Sequence, residues 1–237
     1  MMANDTLYIV MPAYNEVENI ESVINQWYPI IEEKNEKSKI IVADSGSNDG
    51  THELLERMSL DHSKLAVLSD TGKFHGPKLM ALYRFAIEDG AEYVFQTDSD
   101  GQTSPDEFEM FWNERANFDA IIGYRSERGD GKGRAFVEKV VCILVRIFFG
   151  VKVPDANAPF RLMKGDALKK YIDKLPEDFN IPNIMFTVYF SYYGEKTKFL
   201  PISFKSRQAG KNSIDLVKIV KIGWKALKDF RMLRTKM

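Results

Sequence analysis

Glu92-Tyr93-Val94-Phe95-Gln96-Thr97-Asp98-Ser99-Asp100-Gly101-Gln102 reads as a short apolar strand that runs straight into two carboxylates one residue apart, followed by an amide. On an extended backbone, residues i and i+2 point to the same side, so Asp98 and Asp100 face one space together. Like charges that close are unfavourable unless something neutralises them, and a divalent cation with oxygen ligands does so. Magnesium or manganese held this way keeps open positions for phosphate oxygens. A lone D-x-D also fits a solvated acidic turn. Its place at the C-terminal end of a buried strand, where open α/β sheets bind ligands, favours the cation.

Outward from that stretch the chain alternates between strand and helix patterns. Residues 7–11, Leu-Tyr-Ile-Val-Met, form a continuous apolar run typical of a strand buried on both faces, ended by Pro12. A helix to about residue 33 follows, with Ile20, Val23, Ile24, Trp27 and Ile31 on one face. Residues 39–43 form a second strand, ending in the polar, glycine-containing loop 44–51 before another helix. Residues 65–68 form a third strand. The next helix starts at Gly76-Pro77 and stops at Gly90, with proline in its first turn and glycine past its end. This order predicts a doubly wound α/β unit with a mostly parallel sheet. With no repeat, linker or low-complexity tract, residues 1–237 read as one domain.

Composition narrows the function classes. The 237 residues are 44% hydrophobic and 28% charged, and 33 basic against 34 acidic side chains leave a net charge of −1. Nothing in that balance points to a nucleic-acid partner. The single cysteine, Cys142, excludes an intramolecular disulfide and a cysteine-based zinc site, and its apolar setting reads as a buried thiol. The N-terminus enters a strand pattern at once, without a secretory leader, and no stretch reaches the ~18–20 apolar residues of a spanning helix. The expectation is a cytoplasmic chain, peripheral on the cytoplasmic face of a membrane.

Neither G-x-G-x-x-G nor G-x-x-x-x-G-K-[ST] follows a strand, and no glycine-rich phosphate cradle follows the first one. The first two strands end instead in Pro12-Ala13-Tyr14-Asn15-Glu16 and in Asp44. Carboxylates there can accept from ring N–H groups and hydroxyls, and Tyr14 can pack against a ring. Singly, each residue also reads as a cap or turn residue.

Three linked motifs carry a resemblance: Val10-Met11-Pro12-Ala13-Tyr14-Asn15-Glu16, residues 42–51 around Asp44, and Thr97-Asp98-Ser99-Asp100-Gly101-Gln102-Thr103-Ser104-Pro105. In order and spacing they resemble the family 2 glycosyltransferases over at least the first 125 residues. The resemblance implies a GT-A fold, a nucleotide-diphosphate sugar donor, a divalent cation (Mg2+ or Mn2+) and inversion at the anomeric carbon. It implies that Pro12, Tyr14, Glu16 and Asp44 hold the nucleotide, with Asp98 and Asp100 on metal and donor and Asp100 at the reaction. The pattern D-x-D-x-Q-x-x-P resembles the dolichol-phosphate mannosyltransferase and polyprenol-phosphate glycosyltransferase branch, which adds Gln102 to the metal. On this reading residues 1–125 form the nucleotide-sugar half and 126–212 the acceptor half. Residues 213–237 form an amphipathic C-terminal helix.

In the second half, residues 120–123 read as a strand and 124–134 as a loop bearing Arg125, Arg128, Lys132 and Arg134. Such a loop reads either as a solvated surface loop or as one that closes over phosphates; the branch's arginine-bearing loop at this point favours phosphate, with Arg134 in the catalytic set. Residues 136–149 read as an apolar helix whose buried face is core. Residues 155–161, Asp-Ala-Asn-Ala-Pro-Phe-Arg, resemble the branch's D-x-x-x-G-F-R, with Pro159 in the glycine position; Asp155 and Arg161 are expected at the reaction centre. Residues 179–185 lack the glutamate that many relatives carry there. A sugar hydroxyl acceptor needs a base, whereas a phosphate is already ionised, so the absence favours a polyprenyl-phosphate acceptor, with Asp155 as a substitute base otherwise. Residues 204–213 resemble the closing R-x-x-G-x-S segment, placing Arg207, Lys211 and Ser213 near phosphates.

Lys218, Lys221, Lys225 and Lys228 form a basic stripe near Trp224, with Leu216, Ile219, Ala226, Leu227, Phe230 and Leu233 opposite. The pattern suits a membrane interface or a helix docked on its own domain. Two other functions stay open. One is transfer to a sugar hydroxyl of a lipid-linked saccharide in surface polysaccharide synthesis; the other is a non-catalytic nucleotide-sugar-binding partner of a small membrane subunit.

Overall fold

The computed structural model describes residues 5–129, 131–206, 226–235 and 237. A seven-stranded sheet in the order β3-β2-β1-β4-β6-β5-β7 organises it. The strands are β1 (Leu7–Ala13), β2 (Lys39–Asp44), β3 (Leu65–Leu68), β4 (Tyr93–Gln96), β5 (Ala120–Arg128), β6 (Arg161–Lys164) and β7 (Thr197–Phe204). The first four pair in parallel, β6 runs antiparallel between β4 and β5, and β7 is parallel to β5. The expected α/β sheet, mostly parallel, is therefore present.

The helices are α1 (Ile20–Glu32), α2 (Thr51–Asp61), α3 (His75–Glu88), α4 (Phe108–Trp112), α5 (Lys132–Phe149), α6 (Gly165–Lys169) and α7 (Pro182–Tyr192). They cover both faces of the sheet, which is why β1 reads as unbroken apolar sequence. Alternate residues feed opposite cores. Tyr8 and Val10 pack with α3, α7 and the end of α5, whereas Leu7, Ile9 and Met11 pack with α1, α2 and α4. In the second core Trp27 lies 5.3 Å from Phe95 and 6.0 Å from Phe160, between ring centroids.

In the second half the structure departs from the sequence reading at one place and decides between its alternatives at another. The stretch 124–134 is not a long basic loop: β5 continues to Arg128, and α5 already begins at Lys132. Pairing with β7 extends the strand, with a register irregularity between Arg125 and Glu127. At the C-terminus, residues 226–234 are helical. Phe230 and Leu233 are buried there, and the Phe230 ring meets Phe148 and Phe149 at 5.9 and 5.2 Å. This part of the helix docks on its own domain and leaves Lys228 exposed. Leu216, Lys218, Ile219, Lys221, Trp224 and Lys225 lie outside the described residues, as do Arg207, Lys211 and Ser213.

Candidate active site

The C-terminal ends of β1 and β4 open onto one cleft of about 1180 Å³, whose lining does not include Asp44 at the end of β2. One side of it begins with the loop after β1. Asn15 takes a left-handed conformation (φ 54°), which asparagine tolerates better than most residues. Its N–H bonds Ser47 Oγ at 2.9 Å, and its Oδ1 accepts from Asn48 N at 3.0 Å. The Glu16 N–H bonds Thr51 Oγ1 at 2.8 Å. These bonds stitch the β1 and β2 loops together and fix Tyr14 and Glu16 on the cleft wall with Pro12.

Asp44 ends β2 and is almost fully buried. Ser47 donates to its Oδ1, whereas Oδ2 has no hydrogen-bond partner and lies 3.4 Å from His52 Nδ1. The buried Lys78 ammonium stands 3.9 Å from Asp44 Oδ1, donates to the Ala13 carbonyl and lies 5.2 Å from the Tyr14 ring. Burial pushes its pKa down, and the charge of Asp44 partly restores it. A nucleotide base or ribose brought here meets an aromatic face, an unsatisfied carboxylate oxygen and a buried cation.

The acidic pair lies at the end of β4, where Asp98, Asp100 and Gln102 all line the cleft. Asp98 Oδ1 is sealed from solvent without a hydrogen-bond partner. Burial, and then the charge of Asp100, hold the Asp98 carboxyl well above the ordinary carboxylate range. Gln102 spends its amide N–H on the Lys205 carbonyl at 2.8 Å, which leaves Oε1 as the ligand-type atom of the side chain. Among the described residues no group of three or more His, Cys, Asp or Glu forms a closed metal cage. Two carboxylates and an amide oxygen do fit a hard cation that completes its shell with substrate oxygens and water.

Helix ends form another part of the lining. The N-terminal residues His75, Gly76 and Lys78 of α3, Arg134 of α5, and Pro182 and Asn183 of α7 all line the cleft. Helix N-termini carry partial positive charge and free N–H groups, so three converging ends favour anions. Gly76 permits the closure, since a Cβ there would stand 2.2 Å from the Phe179 carbonyl oxygen.

Asp155 and Arg161, expected at the reaction centre, do not line the cleft. Asp155 is gripped by Arg125, Nε to Oδ2 at 2.7 Å and Nη2 to Oδ1 at 2.9 Å. Arg125 also reaches Glu138 Oε2 at 3.1 Å, and Glu138 Oε1 accepts the Ala156 N–H at 2.8 Å. Burial opposes the Asp155 charge, but the Arg125 bonds and charge prevail and hold it below the carboxylate range. Burial and the neighbouring Asp155 push Glu138 up. Cys142 Sγ lies 3.4 Å from Glu138 Oε1, and burial pushes its thiol up to about 12, as befits an inert side chain. Arg161 is fully buried and donates to the Ala158 and Asn183 carbonyls, pinning the first turn of α7 from behind.

Residues 8–172 match the model of Glycosyl transferase family 2. The chain belongs to glycosyl transferase family 2. Within the family it is 24% identical over 213 residues to undecaprenyl-phosphate mannosyltransferase of Micrococcus luteus, covering 86% of each chain. It is 26% identical to polyprenol monophosphomannose synthase of Mycolicibacterium smegmatis, over 68% of this chain and 63% of that one. Among solved structures, glucosyl-3-phosphoglycerate synthase from Mycobacterium tuberculosis in complex with UDP superposes with a TM-score of 0.69 at 18% identity, over 98% of this chain and 81% of that one. That likeness bears out the GT-A fold.

The sequence reading missed Lys73, Lys78 and Asp178, all on the cleft of this glycosyltransferase. The lysines follow β3 and flank the proline that opens α3, so the rule that ligands gather at strand ends would have flagged them. Nothing local marks Asp178, which only the fold carries to the site.

Proposed function

We propose that this glycosyltransferase moves a hexose from a nucleotide-diphosphate sugar to a polyprenyl phosphate at the cytoplasmic face of a membrane, with inversion. The observation that carries the reading is the convergence of three helix N-termini and Arg134 on the cleft that Asp98 and Asp100 also line. Such a lining receives an anionic acceptor. The names of the relatives agree, since they include transferases acting on undecaprenyl phosphate and dolichyl phosphate.

Pro12, Tyr14, Glu16 and Asp44 take the nucleotide, with Lys78 as the cation beside the base and ribose. Asp98, Asp100 and Gln102 would hold a divalent cation, Mg2+ or Mn2+. Solved complexes of the M. tuberculosis synthase contain Mn2+ with UDP-glucose. When bound, the cation neutralises the departing diphosphate. Arg134 orients the acceptor phosphate, and Arg207, Lys211 and Ser213 contribute further phosphate contacts. An acceptor oxygen forms the new bond to the anomeric carbon as the bond to the nucleotide diphosphate breaks. The attacking phosphate is anionic near pH 7, its second pKa being about 6, so no proton need be removed. Asp155 and Arg161 act as positioning residues beneath the cleft.

The test is transfer to a short, water-soluble polyprenyl phosphate. Arg134→Ala should lower kcat/KM by about 10²-fold or more, the scale of removing a charge-stabilising donor. Asp178→Asn should stay within about threefold, because general-base removal, usually worth about 10²–10⁴-fold, has nothing to remove here. Transfer only to a lipid-linked saccharide bearing hydroxyls, stopped by Asp178→Asn, would overturn the reading. Asp178 is the exposed cleft carboxylate nearest in sequence to α7, and Asp155 is unsuited to that role because Arg125 occupies it.

A further inference from the structure

Helix α5 is apolar on two sides, and among the described residues only one of them is covered. Val145 and Phe149 are buried in the core, and Glu138 is turned inward to Arg125. On the other side Phe136 is 67% exposed, Val140 38%, Ile143 58% and Ile147 70%. At about 100° per residue these four fall within an arc of roughly 60°. Lys139 and Arg146, also exposed, lie along one edge of that arc. The one acidic residue of α5, Glu138, is on the buried side. An outward face of four large apolar side chains edged by cations, with no carboxylate, is what an interfacial helix presents to lipid. The interspersed acidic residues of an ordinary solvated helix face are missing here.

The same helix also supplies the cleft. Arg134, in its first turn, lines the cavity, and Phe136 follows two residues later on the outward side. Phe74, 67% exposed, lies on the cleft lining at the start of α3. Two exposed phenylalanines thus flank the region where an acceptor phosphate would enter.

The geometry points to the outward face of α5 as the surface that lies in the headgroup region of an anionic bilayer. Phe136, Val140, Ile143 and Ile147 enter the acyl boundary while Lys139 and Arg146 meet lipid phosphates. The inference rests on the polyprenyl-phosphate reading above for its biological sense, but it concerns a different surface from the reaction site. With α5 seated this way, Arg134 stands at headgroup depth and the lipid's phosphate reaches the cleft without its chain leaving the membrane. A second copy of the chain, which would cover the same face, has no carboxylates on its own α5 face to meet Lys139 and Arg146; anionic lipid supplies that complement.

The experiment uses the full chain with vesicles of phosphatidylcholine alone and of phosphatidylcholine with phosphatidylglycerol. Wild type should co-sediment with the anionic vesicles. Ile143→Glu/Ile147→Glu should lower that partitioning at least tenfold, and Lys139→Gln/Arg146→Gln should lower it several-fold on anionic vesicles only. Both variants should keep the wild-type Tm and the wild-type rate on a water-soluble short-chain polyprenyl phosphate. Unchanged sedimentation of Ile143→Glu/Ile147→Glu overturns the inference. So does a wild-type dimer, seen by analytical ultracentrifugation, that this variant converts to monomer without affecting vesicle binding. Lost vesicle binding in the variant, with no transfer to any polyprenyl phosphate by wild type, supports the membrane face and overturns the acceptor assignment alone.

Discussion

Two pairs of carboxylates stand near the cleft, and the protein treats them differently. Asp155 and Glu138 share Arg125, which reaches Asp155 with two nitrogens and Glu138 with one. Asp155 Oδ1 also accepts the Asn157 N–H, and Glu138 Oε1 accepts the Ala156 N–H. Asp98 is held differently: among the described residues its buried Oδ1 has no hydrogen-bond partner, and Arg125 and Arg161 act on it through their charge. A pair that carries its own arginine is a strut. Asp98, buried beside the charge of Asp100 at the end of a parallel strand, carries a repulsion that a divalent cation would relieve.

The largest expected effect breaks the strut. Arg125→Met leaves two buried carboxylates without their cation and should cost about 3–5 kcal/mol, visible as a fall in Tm of roughly 10 °C or more. The open pair should respond in the opposite sense. The Asp98 pKa is raised in the folded state, so below its unfolded value, about 3.9, the group is protonated in both states and costs nothing. As pH rises toward the folded value the unfolded chain ionises first, and stability is lost. Asp98→Asn should therefore raise the Tm of metal-free protein by a few degrees at pH 7–8, with the gain fading toward pH 4 in thermal scans. The smallest effect sharpens the contrast within the strut. Glu138 is pushed toward its neutral form, so Glu138→Gln, which retains an acceptor for the Ala156 N–H, should shift stability by less than about 1 kcal/mol. A loss as large as that of Arg125→Met would make Glu138 a full ion-pair partner.

The same contrast marks how far the sequence could be read. β1 to β4 and helices α1 to α3 were legible because a parallel sheet covered on both faces leaves continuous apolar runs punctuated by Pro12, Gly50 and Gly90. β7 was not, because it carries Lys198 and Pro201 at the sheet edge, where proline is tolerated but reads as a break. With β7 unseen, the end of β5 looked like a basic loop, and the grip of Arg125, which also lines the cleft, on Asp155 and Glu138 went unread. The D-x-D pair and the loops after β1 and β2 were legible as strand-end features because each directly follows an apolar strand. Lys78 and Asp178 reach the cleft through tertiary packing. The outward face of α5 escaped because apolar periodicity does not distinguish a core-facing stripe from a lipid-facing one.

In the proposed function, Asp98 and Asp100 would hold a divalent cation on which binding of a nucleotide-diphosphate sugar depends. Calorimetric titration with UDP- and GDP-hexoses, with Mn2+ and with EDTA, tests it directly in wild type and Asp100→Asn. Wild type should bind one donor class with an affinity that falls at least tenfold in EDTA, and Asp100→Asn should keep the wild-type Tm while losing the Mn2+-dependent part. Donor affinity that depends on Mn2+ equally in wild type and in Asp100→Asn would contradict the account.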